Sequence, residues 1–227
     1  MVNFGNEFES GNPQVELYRL CWDQTNQPEN FVCDLNRIML EARSDERLRE
    51  TFNIDERLRA PGDKTNSYTA LMMLCERGKA QEAAFLIAQG ASLTATTNKG
   101  ETPLHIAARS SSRFAAQVTS MIAEKLDRQG LDAVDCTGWT PLMLAVKKGC
   151  ERTCEVLIDR GSRVNCRNDL IGRMTPLLMA ADTAEYPIVL ALLQAQADIS
   201  CTDEFGNSAL HRVCMEPVKK GVRFQLI

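Results

Sequence analysis

Histidine is almost missing from this chain: 227 residues contain two, His105 and His211, in segments far apart. A histidine-rich metal centre or a shared histidine catalytic pair is therefore not expected. There is no run of about 18 apolar residues, so no transmembrane helix and no membrane partner are expected. An excess of positive charge is missing too. Lys and Arg number 26 against 30 Asp and Glu, a net charge of −4. Direct nucleic-acid binding through a global basic field is thereby excluded. Gly-x-Ser-x-Gly and Cys-x-x-Cys do not occur, and Gly100 and Gly138 stand alone rather than in a phosphate-binding loop. Carboxylates such as Asp45-Glu46 and Asp55-Glu56 sit in charged, solvated stretches. No catalytic residue, cofactor site or metal site is expected, and the reading is of a non-enzyme. Met1 to Glu7 has neither a basic n-region nor an apolar h-region, so secretion is not expected.

Cysteine, by contrast, is plentiful. Nine residues, an odd number without a signal peptide, predict reduced thiols in the cytoplasm, the nucleus or both. Cys150 and Cys154 share a helix face at best, without a third ligand nearby. The remaining thiols follow a pattern. Thr102-Pro103-Leu104-His105-Ile106-Ala107-Ala108 returns in weaker copies at Thr69-Ala70-Leu71-Met72, Thr140-Pro141-Leu142-Met143, Thr175-Pro176-Leu177-Leu178 and Ser208-Ala209-Leu210-His211. Successive copies begin 33, 38, 35 and 33 residues apart, at 69, 102, 140, 175 and 208. Cys75 and Cys214 lie six residues into their copies, where Ala108 and Ala181 stand in others, so cysteine acts there as a small apolar filler.

A period near 33 built on Thr-Pro-Leu-His resembles the ankyrin-repeat family. The resemblance implies an all-α solenoid of helix–turn–helix units joined by β-turn fingers. Five units are expected, at 66–98, 99–136, 137–171, 172–204 and an incomplete 205–227. Residues 1–12 read as a flexible tail, and 13–65 as a helical N-terminal cap or degenerate repeat, because a solenoid needs a terminal unit with one polar face. Within it, Pro13 opens a short helix, and Phe31, Val32, Leu35, Ile38, Met39 and Ala42 fall at helical spacing. Ser44-Asp45-Glu46 reads as the cap of a further helix carrying Leu48 and Phe52, so that roughly 29–60 makes one two-helix unit. Ile54 to Ser67 reads as a loop. Pro187 and Pro217 both suit the first turn of an outer helix. The fifth unit leaves little room for a polar cap, so further chain, or a cover over that edge, is expected.

Departures from the period mark where function would sit. Ser110-Ser111-Ser112 replaces the usual glycine turn, Asp127 to Leu131 lengthens a loop, and the finger Arg167 to Arg173 carries two extra residues. The resemblance implies a protein partner bound on the concave face of fingers and inner helices, by a monomeric scaffold or regulator. Mapped onto this chain, the partner-binding candidates are Arg109, Trp139, Lys147, Lys148, Leu170, Arg173 and Phe205. Trp139 and Phe205 fill a slot that is polar in most family members, and Lys147 and Lys148 suit an acidic peptide. Val164-Asn165 is similar to the ankyrin motif whose asparagine is β-hydroxylated, which makes Asn165 a modification candidate, although Arg163 stands where an acid is favoured. The irregular lengths and the Asp203 to His211 stretch look similar to regulatory ankyrin domains of the NF-κB-inhibitor and Notch types, pointing to signalling or transcription control. The alternative is a substrate-recruiting or targeting subunit of a larger enzyme complex, such as a ubiquitin ligase, or a pathogen effector. That role would rest on the helix from Phe31 to Ala42.

Overall fold

The computed structural model describes residues 13–22, 28–44, 52–59 and 67–220. The tail at 1–12 and the helix expected after Ser44 lie outside them. The described helices are α1 (Pro13–Trp22), α2 (Pro28–Ser44), α3 (Ala70–Arg77), α4 (Ala80–Ala88), α5 (Pro103–Arg109), α6 (Ala115–Ala123), α7 (Arg128–Leu131), α8 (Pro141–Lys147), α9 (Glu151–Asp159), α10 (Pro176–Thr183), α11 (Tyr186–Gln194) and α12 (Ala209–Lys220). They stack in two rows. The inner row runs α1, α3, α5, α8, α10, α12, and the outer row α2, α4, α6, α9, α11, each helix packed on the next and on its partner.

The motif sets where inner helices begin. Thr69, Thr140 and Thr175 accept the N3 amides of Met72, Met143 and Leu178 through their hydroxyls, all at 3.3 Å. Proline opens α5, α8 and α10 at a position whose N–H has no helical partner to lose. The leucine of each of the first four copies, Leu71, Leu104, Leu142 and Leu177, is buried, worth roughly 1.5–3 kcal/mol apiece. No unit could bury this stripe alone, so the stack is the cooperative body.

The turn between inner and outer helix needs a left-handed residue, and Gly78 (φ 68°) and Gly149 (φ 67°) supply it. Ala184 takes the same conformation at φ 57° without that freedom. The fifth unit has Pro217 at this place. Proline cannot leave φ near −65°, so the left-handed turn is barred. Pro217 consequently lies inside α12, which runs on to Lys220, rather than opening a new helix.

The N-terminal region also differs from expectation. The helix pair that extends the two rows among the described residues is α1 with α2; α1 packs on α3 and α2 on α4, and the second helix of the expected 29–60 unit lies outside the described residues. Leu17, Phe31, Leu35 and Ile38 are buried there. The stretch read as a loop contains a two-residue antiparallel pair, Leu58–Arg59 with Ser67–Tyr68. Asp127 to Leu131 is one helical turn, α7, rather than loop: the Asp127 carboxylate caps it by accepting the Gly130 N–H at 2.8 Å, and Leu131 is buried beneath.

Candidate partner-binding face

Four fingers join one unit to the next, and they share one device. Thr97 Oγ1 accepts the amides of Lys99 and Glu101, Asp135 Oδ1 those of Thr137 and Trp139, Asn168 Oδ1 that of Leu170, and Asp203 Oδ1 those of Phe205 and Asn207, all within 3.2 Å. The fingers are tied in series. Cys136 N donates to Lys99 O at 2.9 Å, Asn168 Nδ2 to Thr137 O at 3.0 Å, and Glu204 N to Gly172 O at 3.0 Å. The contacts are close enough that a Cβ on Gly138 would meet Asn168 Oδ1 at 2.6 Å. The result is a comb of rigid tips.

Two of the predicted side chains stand out from it. Leu170, at the head of the finger lengthened by two residues, is 73% exposed, and Phe205 on the next finger is 77% exposed. Ile171 is exposed beside Leu170. Large apolar groups held outward on hydrogen-bonded turns are not relieved by collapse, because the turn fixes their direction. Arg173 is exposed on the same finger at φ 59°.

The other candidates are more engaged. Trp139 is half-buried, with Lys147 Nζ 4.3 Å from its ring centroid and its carbonyl 3.1 Å from His105 Nε2. Lys147 and Lys148 are exposed at the end of α8. Arg109 ties two units together: Nε lies 3.0 Å from Glu101 Oε1, Nη1 3.4 Å from Glu76 Oε1, and Nη2 donates to the Tyr68 hydroxyl at 3.1 Å. Burial alone would lower the Arg109 pKa, and Glu101, Tyr68 and Glu76 more than offset it. Its charge is spent inside the scaffold. The Ser110 that replaces the turn glycine region donates to Glu76 O at 2.7 Å, so the triple serine is a side-chain-built substitute for that turn.

Asn165 lies apart from the tips. Its Oδ1 accepts the Asp198 amide at 2.8 Å and its Nδ2 donates to Gln196 O at 3.4 Å. Asp132 plays the same part toward Arg163 N, and Asp55 toward Ser92 N, both at 2.8 Å. This second ladder was not read from the sequence. Its signal was Asp132 and Asn165, each three residues before a finger's capping residue. Burial pushes the Cys154 thiol up to about 12 and raises Cys75, Cys21, Cys150 and Cys166, which disfavours the thiolate at these positions.

Stacked helix pairs with a comb of tied fingers define a tandem-repeat scaffold, a class that binds through surface rather than through a reactive centre. The family model described as ankyrin repeats (3 copies) matches residues 46–120 and 113–203, and the chain belongs to the ankyrin-repeat family. Its curated relatives include Notch proteins. It is 39% identical over 132 residues to neurogenic locus notch homolog protein 1 of Xenopus tropicalis, 39% over 133 residues to notch homolog protein 2 of Homo sapiens, and 38% over 132 residues to notch homolog protein 1 of Homo sapiens. The matched stretch covers 55–56% of this chain and 5% of each relative. An ankyrin-repeat array is a protein–protein interaction domain, and the Notch relatives fit signalling. Among the described residues no helix is long and apolar enough to cross a membrane.

Proposed function

We propose that this chain is a signalling regulator that grips a protein partner along its fingers and inner helices. The observation that carries the reading is the pair Leu170 and Phe205: both exposed, both on fingers locked by side-chain caps, and joined through the Glu204–Gly172 backbone bond. A scaffold that needed these residues for folding would bury them. Arg173 on the Leu170 finger and Lys147 and Lys148, exposed at the end of α8, supply positive charge, which suits a partner segment that is apolar at its anchors and acidic beside them. Trp139 is then a wall of the site, stiffened by Lys147. The working compartment is the cytoplasm or nucleus, where the reduced cysteines belong, and the processes are signalling or transcription control.

The test is proximity labelling in cells with the wild-type chain and with Leu170→Ser/Phe205→Ser. The reading expects a defined group of labelled proteins to disappear with the double variant while folding is unchanged. An identical labelled set for both chains defeats it. Hydroxylation of Asn165 is proposed alongside; a 16 Da mass increase on the Asn165 peptide from cells checks it.

A further inference from the structure

The triple serine builds more than a turn. The Ser110 hydroxyl donates to Glu76 O, the Ser112 amide donates to Ser110 Oγ at 3.2 Å, and the Phe114 amide donates to Ser112 Oγ at 3.2 Å. A Cβ on Gly78 would meet Ser112 Oγ at 2.0 Å and Phe114 Cβ at 3.5 Å, so the turns of the first and second units touch. This relay fixes Phe114 beside the turn that opens α4. Phe114 holds the N-cap position of α6, where Lys79, Cys150 and Glu185 stand in α4, α9 and α11. None of these four side chains caps its helix, and of the four only Phe114 is a large apolar group. Its ring stays 43% exposed. It serves neither as a cap nor as full core, a departure from the repeat without a gain in folding. What the ring does is wall a cleft of about 330 Å³, completed by Arg77, Lys79, Ala80, Glu82 and Gln117. At the matching turn of the third unit, Gly149 faces the Glu185 carboxylate instead, so the aromatic wall is particular to this layer.

We propose that this cleft is a second protein-binding site, which takes an aromatic side chain of a partner segment with a carboxylate beside it. The incoming ring packs offset or edge-on against Phe114, and the carboxylate meets Arg77 and Lys79. Charge decides the neighbour's sign. Arg77 and Lys79 line the cleft, and the Arg113 guanidinium lies 4.6 Å from the Phe114 ring centroid. Against these three cations stands one carboxylate, Glu82, buried and 3.5 Å from Lys79 Nζ. Glu76, beside Arg77 in sequence, lies 3.4 Å from Arg109 and is engaged there. A surplus of positive charge draws an acidic segment and repels a basic one. Burial lowers the Arg77 pKa, with the Glu76 charge opposing it, and an added carboxylate offsets part of that burial cost. Because the serine relay holds Phe114 before anything binds, little freedom is lost at the wall. The cleft lies where α3 ends at Gly78, whereas the fingers lie where inner helices begin. The two sites are at opposite ends of the helices, so this reading and the finger reading fail separately.

Amide chemical shifts of the isotope-labelled full chain, titrated with the peptide acetyl-Glu-Trp-Glu-amide, test this. Saturable shifts in the millimolar range are expected at Gly78 to Glu82 and at Phe114 to Gln117. Phe114→Ala and Arg77→Gln should each weaken this binding roughly tenfold. The peptide acetyl-Lys-Trp-Lys-amide should leave the same amides in place. Circular dichroism checks that the variants are folded. Gln117→Glu, at an exposed residue on the cleft wall, adds a like charge without touching the core and should weaken binding as well. No shift at either segment overturns the proposal. So do equal shifts with the lysine-flanked peptide, or binding that none of the three variants weakens. Shifts confined to the fingers at 168–173 and 203–207 overturn it too, and leave the finger reading intact.

Discussion

His105 Nε2 sits 3.1 Å from the carbonyl oxygen of Trp139, and this bond joins the second unit to the third. The Thr102 amide donates to Nδ1, so the ring carries its proton on Nε2 and donates it onward. His105 has no exposure at all. Replacing it by Ala leaves the buried Thr102 amide without its partner, at about 1–3 kcal/mol, and takes from the Trp139 carbonyl one of two donors, the Asp135 amide remaining. His105→Ala should therefore lower the urea midpoint strongly. His211→Ala, in an exposed ring, should leave it almost unchanged.

Acid sensitivity follows from the same burial. Burial holds the His105 pKa below its ordinary 6.5, with the Trp139 carbonyl opposing. The unfolded chain then binds a proton that the folded imidazole refuses, so stability falls as pH drops below about 6.5. Asp203 acts lower down. Burial pushes its carboxyl up, but the Asn207 amide, Arg212, the Asn207 side chain and the Phe205 amide outweigh this and bring it to about 2. The stabilisation it gives is present above its unfolded value of 3.8 and is lost as pH falls toward 2. In urea midpoints against pH, His105→Gln should flatten the slope from pH 7 to 5, and Asp203→Asn the one below pH 4.

The fourth unit carries backbone strain. Ala184 (φ 57°) and Gln196 (φ 62°) are left-handed where Gly78 and Gly149, and Gly90 and Gly161, stand in other units. A left-handed non-glycine residue costs roughly 1–2 kcal/mol, partly balanced by glycine's extra freedom when unfolded. Ala184→Gly and Gln196→Gly should each raise the thermal midpoint. Gly78→Ala should lower it, since the added Cβ would meet Ser112 Oγ at 2.0 Å.

Arg212 links the last two units, donating through Nη1 to Asp182 at 3.0 Å and through Nε to Asp203 at 3.1 Å. Asp203 is fully covered, so Arg212→Met leaves a buried carboxylate unpaired, at roughly 3–5 kcal/mol. Hydrogen exchange should show protection lost across α12 and the finger at 203–207, with α5 and α8 unaffected. Uniform loss along the chain would argue against this local account.

The stack was legible because its causes are local. A threonine cap, a proline at N1 and a leucine directly after it read the same in a sequence as in space. Leu170 and Phe205 were legible as departures from that rhythm. Arg109 reads as open to a partner because sequence shows its charge but not Glu101 of its own unit and Glu76 and Tyr68 of the preceding one closing on it. The α1–α2 pair was missed as a unit because it lacks the motif and is placed only by burial of Leu17, Phe31 and Leu35. The one-turn α7 was hidden by its glycine, although the Asp127 cap was in view.

The central claim is that the finger tips hold a protein partner. Labelling in cells should be compared for Leu170→Ser/Phe205→Ser and for Leu190→Ser, an equally drastic change at a residue 60% exposed on α11. The account predicts loss of the specific labelled proteins in the first and their retention in the second. Retention in the first, with both chains folded, would contradict it.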